Sequence, residues 1–220
     1  MRNDVESGGS LLIELKITDF AEELGSEKPA PGGGSASALA GALASCLVKM
    51  VAHLSGTGHE EHVAGARLLR EKLLHLVNRD TEAFNQVMAS FKLPKGSDEE
   101  KQKRRKALQL ATRFATEVPL EIMEVSLKVL ELAREMAFHG NKNCLSDAGV
   151  AALLAAAACR GGAYNVLINL PGLKDEEFVA DTRLRLKEIL VEVELFEQQI
   201  SDHVEHSLGL ADLRISRVEA

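Results

Sequence analysis

The stretch PGGGSASALAGALASCLV, residues 31–48, decides the fold class. Three glycines in a row let the backbone bend sharply and approach another group closely. Behind them, residues 36–48 form a charge-free helix pattern rich in alanine and serine. Small side chains of that kind let helix backbones pack at short distance. Ser35 is placed to cap this helix by accepting a bond from a first-turn N–H. A helix start with uncovered N–H groups and a positive dipole end also suits an anion. A plain glycine linker turn is the alternative reading. Two nucleotide motifs are excluded. No Gly-Lys-Ser/Thr closes the turn as in a P-loop, and no strand-like run precedes it as in a dinucleotide fingerprint.

Outward from this stretch the pattern stays helical. Residues 11–24 read as a short helix, with Thr18 and Asp19 as an internal cap. Residues 25–34 read as loop, and Gly56-Thr57-Gly58 ends the first long helix. From about 59 to 91, apolar residues recur at three and four at Leu69, Leu73, Leu76, Phe84, Val87 and Phe91, with Asp80 filling the one gap. Leu93-Pro94-Lys95-Gly96 breaks the chain. Ser97 and Glu100 have the capping-box spacing for a helix running to about 138, with a kink or break expected near Pro119. Asn141 to Leu145 is a short loop, and Ser146 or Asp147 caps an alanine-rich helix over 148–158. Gly161-Gly162 is expected to interrupt it. Residues 164–170 fit either an extended piece or continued helix. The last helix, about 175–208, carries a seam at Leu186, Ile189, Val193, Phe196, Ile200 and Val204 that asks for a long partner helix, in this chain or a second one. The expected class is all-α, a single-domain bundle of long helices. Residues 1–10 are expected as a flexible lead, 11–210 as the helical domain and 211–220 as a tail.

Composition narrows the function classes. The chain has 220 residues, 45% hydrophobic, with one Tyr and no Trp. A net charge of −7 argues against general nucleic-acid binding. Cys46, Cys144 and Cys159 are odd in number and lack metal-site spacing, which fits a reducing cytoplasm. No secretory signal core is evident. No uncharged run is read as a membrane span, which needs roughly 18–20 apolar residues. His59/His62 and His203/His206 stand three apart without a further ligand at metal spacing, so they read as surface residues and no metal is expected.

Asp80 is the sharpest candidate for chemistry. An inward carboxylate loses solvation, which raises its proton affinity toward the range useful for acid–base work. Pairing with a buried Arg, or capping a neighbouring helix, is the structural alternative. Its neighbours Asn78 and Glu82 read as surface residues. Asp147 is the second acid, either a helix cap or a functional group, with Asn141 and Asn143 before it as amide partners for a heterocycle or simple loop formers. Lys49 interrupts an apolar helix and either binds an anion, lowers the pKa of a nearby acid, or reaches solvent. Lys92 and Lys95 flank a breaker and are placed to meet ligand carboxylates. The basic run from Lys101 to Lys106 reads as a solvated face.

These segments together resemble the cyclodeaminase/cyclohydrolase family of folate enzymes. The matching stretches are Pro31 to Ser35, Asp80 to Phe84, Lys92 to Lys95 with Glu99-Glu100-Lys101, Val118-Pro119-Leu120, Gly140-Asn141 with Ser146-Asp147, and Asn165 to Leu170. They occur in family order over roughly residues 15–205. The resemblance implies a homodimer, no separate cofactor and a reduced folate as substrate. It implies conversion of 5-formiminotetrahydrofolate to 5,10-methenyltetrahydrofolate with release of ammonia. The alternatives are hydrolysis of the methenyl form to 10-formyltetrahydrofolate, or a non-catalytic dimerisation module. The family's catalytic acid falls on Asp80, with Asp147 supporting it or orienting the pterin. Gly32, Gly33, Gly34, Ser35, Lys49, Lys92, Asn141 and Asn143 are the expected substrate contacts. Thr81 departs from the usual alanine and is expected to stand apart from the chemistry. Any coupling to a formiminotransferase is expected to be non-covalent, and neither nucleic acid nor membrane is an expected partner.

Overall fold

The computed structural model describes residues 11–210. The expected flexible lead and C-terminal tail lie outside the described residues. Six helices and no strand occur among the described residues: α1 (Ile17–Leu24), α2 (Gly33–Leu54), α3 (Glu60–Phe91), α4 (Asp98–His139), α5 (Leu145–Asn169) and α6 (Glu176–Leu208). Helices α2 to α5 close a four-membered ring, each packed on the next, with α2 also meeting α4 across the middle. Short loops make sequential neighbours antiparallel. Thus Ser45 of α2 donates to the Ala66 carbonyl of α3, while Asn165 near the end of α5 stands beside Gly33 at the start of α2. Helix α6 lies on α4 and α5, which answers where its seam goes: Leu186, Ile189, Val193 and Ile200 are buried within this chain.

The core is aliphatic, built from Leu73, Leu76, Ile122, Met123, Leu130 and Ile189 among others. Each such side chain contributes about 1.5–3 kcal/mol by leaving water. Alanine and glycine set the spacing between helices. A Cβ at Gly162 would stand 2.9 Å from the Pro119 carbonyl oxygen and 2.7 Å from Met123 Cγ. The Gly161-Gly162 pair therefore does not interrupt α5. It is the contact that lets α5 approach α4, and the residues 164–170 left open by sequence are largely helical. By length and mean hydropathy (1.6 and 1.4), Gly33–Leu54 and Lys142–Gly172 are apolar enough to cross a membrane, contrary to the reading from uncharged runs alone. Half or more of each such stretch is buried inside the bundle.

Pro119 brings no break either. Helix α4 runs unbroken from the Ser97/Glu100 capping box, which is present, to His139. Proline lacks the N–H that would bond the Ala115 carbonyl four residues earlier. The side-chain amide of Asn169 on α5 donates to that carbonyl at 2.8 Å. The lost helix bond thus becomes an interhelix bond. Other corrections are local. Ser35 is not the cap of α2: the helix begins at Gly33 with Gly32 before it, and Ser35 lies inside the first turn. Helix α5 starts at Leu145 behind Cys144, with no side-chain cap, so Asp147 is a first-turn acid. Leu12–Glu14 is a separate 3-10 turn ahead of α1. Asn78, read as a surface residue, accepts the Leu12 N–H at 2.8 Å and ties that turn to α3.

Candidate active site

The glycine turn and Asp80 meet. Ser35 is the third residue of α2, so its N–H has no partner within the helix. That N–H donates to Asp80 Oδ2 at 2.8 Å, across 45 residues of sequence. The Ser35 hydroxyl lies 3.1 Å from the same oxygen. The anion at this helix start is therefore the protein's own carboxylate. Asp80 bonds the N-terminus of a neighbouring helix, as the structural alternative expects, and it also lines a cleft. Gly34 makes the approach possible. A Cβ there would fall well inside van der Waals contact distance of both carboxylate oxygens, 2.7 Å from the farther one.

Burial pushes the Asp80 carboxyl above its ordinary value, and the Ser35 hydroxyl and N–H pull it down without cancelling that effect. Oδ2 holds both hydrogen bonds, and Oδ1 accepts none from the described residues. Asp80 opens onto a cleft of about 330 Å³ walled by Pro29, Ala30, Gly32 and Gly33 on one side. Ala83, Phe84 and Val87 of α3, Ala115 of α4, and Asn165, Ile168 and Asn169 of α5 complete it. The Ala30–Pro31 peptide bond at its rim is cis.

Asn169 has both amide N–H groups engaged, and Asn165 one of its two. Asn165 donates its amide to the Gly161 carbonyl at 2.8 Å, and Asn169 donates to the Ala115 and Asn165 carbonyls. Their carbonyl oxygens accept no bond from the described residues. The cleft thus offers three acceptor oxygens: Asp80 Oδ1 and the two amide oxygens. A planar ligand carrying several N–H donors suits them. The cleft bears no cationic side chain.

Of the residues expected from sequence, the structure brings together Gly32, Gly33, Gly34, Ser35 and Asp80. The others stand apart within this chain. Lys49 lies fourteen residues beyond Ser35 on α2, about 21 Å along the axis. Lys92 is the C-terminal cap of α3, about 18 Å along that helix from Asp80. Asn141 closes the opposite end of the bundle, donating its amide to the Leu54 carbonyl and its backbone N–H to Ser55 Oγ. Its Oδ1 accepts the Asn143 N–H. Those residues and Asp147 lie near the other end of α2, about 30 Å from the cleft by helix rise. Sequence reading passed over Asn165 and Asn169 as contacts. Their four-residue spacing, which puts both on one helix face, was the available signal. Burial pushes the Cys159 thiol up to about 12, so it supplies no thiolate.

Comparison with known proteins adds to this geometry. The profile of the family described as Formiminotransferase-cyclodeaminase matches residues 16–188. A methenyltetrahydrofolate cyclohydrolase of Methylorubrum extorquens is 38% identical over 203 residues, covering 88% of this chain and 97% of its own. The formimidoyltransferase-cyclodeaminase of Rattus norvegicus is 35% identical over 82% of this chain. The match spans only 35% of that longer protein. The crystal structure of formiminotetrahydrofolate cyclodeaminase from Thermotoga maritima superposes with a TM-score of 0.80 at 31% identity, over 89% of this chain and 98% of that one.

Proposed function

The chain belongs to the formiminotransferase-cyclodeaminase family, and from that premise we propose that it is a folate enzyme, a formiminotetrahydrofolate cyclodeaminase that uses Asp80 for proton transfer. The observation that carries the reading is the placement of Asp80: one oxygen anchored on α2, the other free in a cleft rich in acceptors. The acceptor oxygens of Asn165 and Asn169 fit the amino and ring N–H groups of a reduced pterin. In the reaction, N10 of 5-formiminotetrahydrofolate attacks the formimino carbon and closes the ring. With the formimino group entering protonated (=NH2+), one proton then moves from N10 to the departing nitrogen, the C–N bond to that nitrogen breaks, and neutral ammonia leaves the 5,10-methenyltetrahydrofolate cation behind. A carboxyl group whose proton affinity is raised by burial can take the first proton and return it to the leaving group. Such assistance is worth about 10²–10⁴-fold.

A second reading has one observation in its favour, the name of the Methylorubrum relative. There the same carboxylate activates water against the methenyl carbon, giving 10-formyltetrahydrofolate. Methenyl absorbance separates the two. A rise on adding 5-formiminotetrahydrofolate is the expected result. Accelerated decay of added methenyltetrahydrofolate without such a rise reassigns the chain to the hydrolysis. No change with either folate sinks both.

The chain also presents an exposed apolar face. Leu43 and Leu54 on α2, with Val150, Leu153, Tyr164 and Ile168 on α5, are exposed along two adjacent helices. A second copy seated on this face gives the homodimer implied by the family resemblance. The 23.8 kDa chain should sediment at twice its mass, and Leu153→Glu should return it to one. A wild-type protein that sediments as a monomer at micromolar concentration removes the dimer.

A further inference from the structure

The Ser35 hydroxyl stands at a branch point. It lies 2.9 Å from the Val77 carbonyl oxygen, 3.1 Å from Asp80 Oδ2 and 3.2 Å from Thr81 Oγ1. It has one proton, so it serves one acceptor at a time. We propose that Thr81 is a positioning residue for Asp80, acting through the Ser35 hydroxyl, and that this hydroxyl turns as Asp80 gains and loses its proton. The inference rests on the reading of Asp80 as the proton-transfer group.

When Asp80 is ionised, its carboxylate is the strongest acceptor within reach, so Ser35 donates to Oδ2. Thr81 then donates to Ser35 Oγ, completing a chain from Thr81 through Ser35 to Asp80 in which each bond strengthens the next. When Asp80 is protonated, Oδ2 still accepts the Ser35 N–H, so the proton resides on Oδ1. The Ser35 hydroxyl is released to the Val77 carbonyl. Oδ1 thereby stays the oxygen that exchanges protons with the contents of the cleft. Thr81, which sequence reading sets apart from the chemistry, becomes part of its support.

Among the described residues, no other titratable group lines the cleft. The cleft walls supplied by α4, α5 and the approach to α2 are Ala, Asn, Ile, Pro and Gly residues. On α3 itself, Arg79 turns to Glu121 and Phe114 of α4, and Glu82 accepts from Gln86. The positive end of α2 acts on Asp80 in both variants described next.

The test is direct titration of the Asp80 carboxyl carbon by 13C NMR in the full chain, for wild type, Thr81→Val and Thr81→Ser. Thr81→Val removes the hydroxyl and keeps the branched shape. Its Asp80 midpoint should rise by about half a pH unit, roughly a threefold change in the proton equilibrium. Thr81→Ser should bring it back, and the acid limb of the kcat/KM profile should follow the same order. A Thr81→Val titration that overlays wild type, or a serine variant that fails to restore it, overturns the relay. The carboxyl titration reads the relay whether or not Asp80 is catalytic. Failure of the relay and failure of the catalytic reading are therefore separate results.

Discussion

Asp80→Asn is expected to cost about 10²–10⁴ in turnover while leaving the bundle folded and, at neutral pH, more stable. The two effects share one cause. Asp80 is buried enough for its carboxyl to be raised above the ordinary value, so the folded state binds its proton more tightly than the unfolded chain does. A group shifted in this direction contributes stability that is complete below its unfolded pKa, about 3.9 for Asp. That contribution is lost as pH rises through the folded value. Above that value the wild-type protein holds a partly desolvated charge, whereas asparagine holds none and can still accept the Ser35 N–H. The melting temperatures of the two proteins should therefore move together near pH 4 and diverge with rising pH, the variant standing higher. Near wild-type turnover in a folded Asp80→Asn protein would remove the carboxylate from the mechanism. A variant that melts lower at pH 8 than at pH 5, relative to wild type, would contradict the desolvation argument.

Gly34→Ala carries the second large effect. Its Cβ would coincide with the carboxylate of Asp80, and the overlap cannot be relieved by a flexible chain end alone, because Oδ2 is held by Ser35. Either Asp80 leaves its bond to α2 or the start of α2 moves away from α3. Overpacking of this kind costs about 1–3 kcal/mol. Loss of the anchor also takes turnover down to the level of Asp80→Asn. A double-mutant cycle isolates the contact: Gly34→Ala should cost little stability in an Asp80→Ala background, where the clashing carboxylate is gone, and activity should not return. Independent, additive losses of stability would place the cost of Gly34→Ala elsewhere. Gly34 is thus a steric requirement of the site, and its neighbour Gly33 leaves backbone exposed at the cleft.

Long-period patterns were legible because each helix buries a face of its own. The seam on α6, the capping box at Ser97 and the inward place of Asp80 all follow from residue spacing. Local breaker rules failed at Pro119 and at Gly161-Gly162. At Pro119 the freed Ala115 carbonyl finds Asn169, 54 residues away. At Gly162 the missing Cβ is what lets two helices touch. Neither compensation is visible within a window of neighbouring residues.

The candidate site divides the same way. Sequence alone determined an all-helical chain, marked residues 32–35 and Asp80 as separate features, and carried enough of a family pattern to name a class of chemistry. Only the tertiary structure decided that these features are one site, that Asn165 and Asn169 complete it, and that Asn141, Asn143 and Asp147 lie at the far end of the bundle. The reason is physical. Periodicity records which face of a helix avoids water, but antiparallel packing decides which ends of which helices meet. That packing set the Asp80 carboxylate against the open N–H groups of α2.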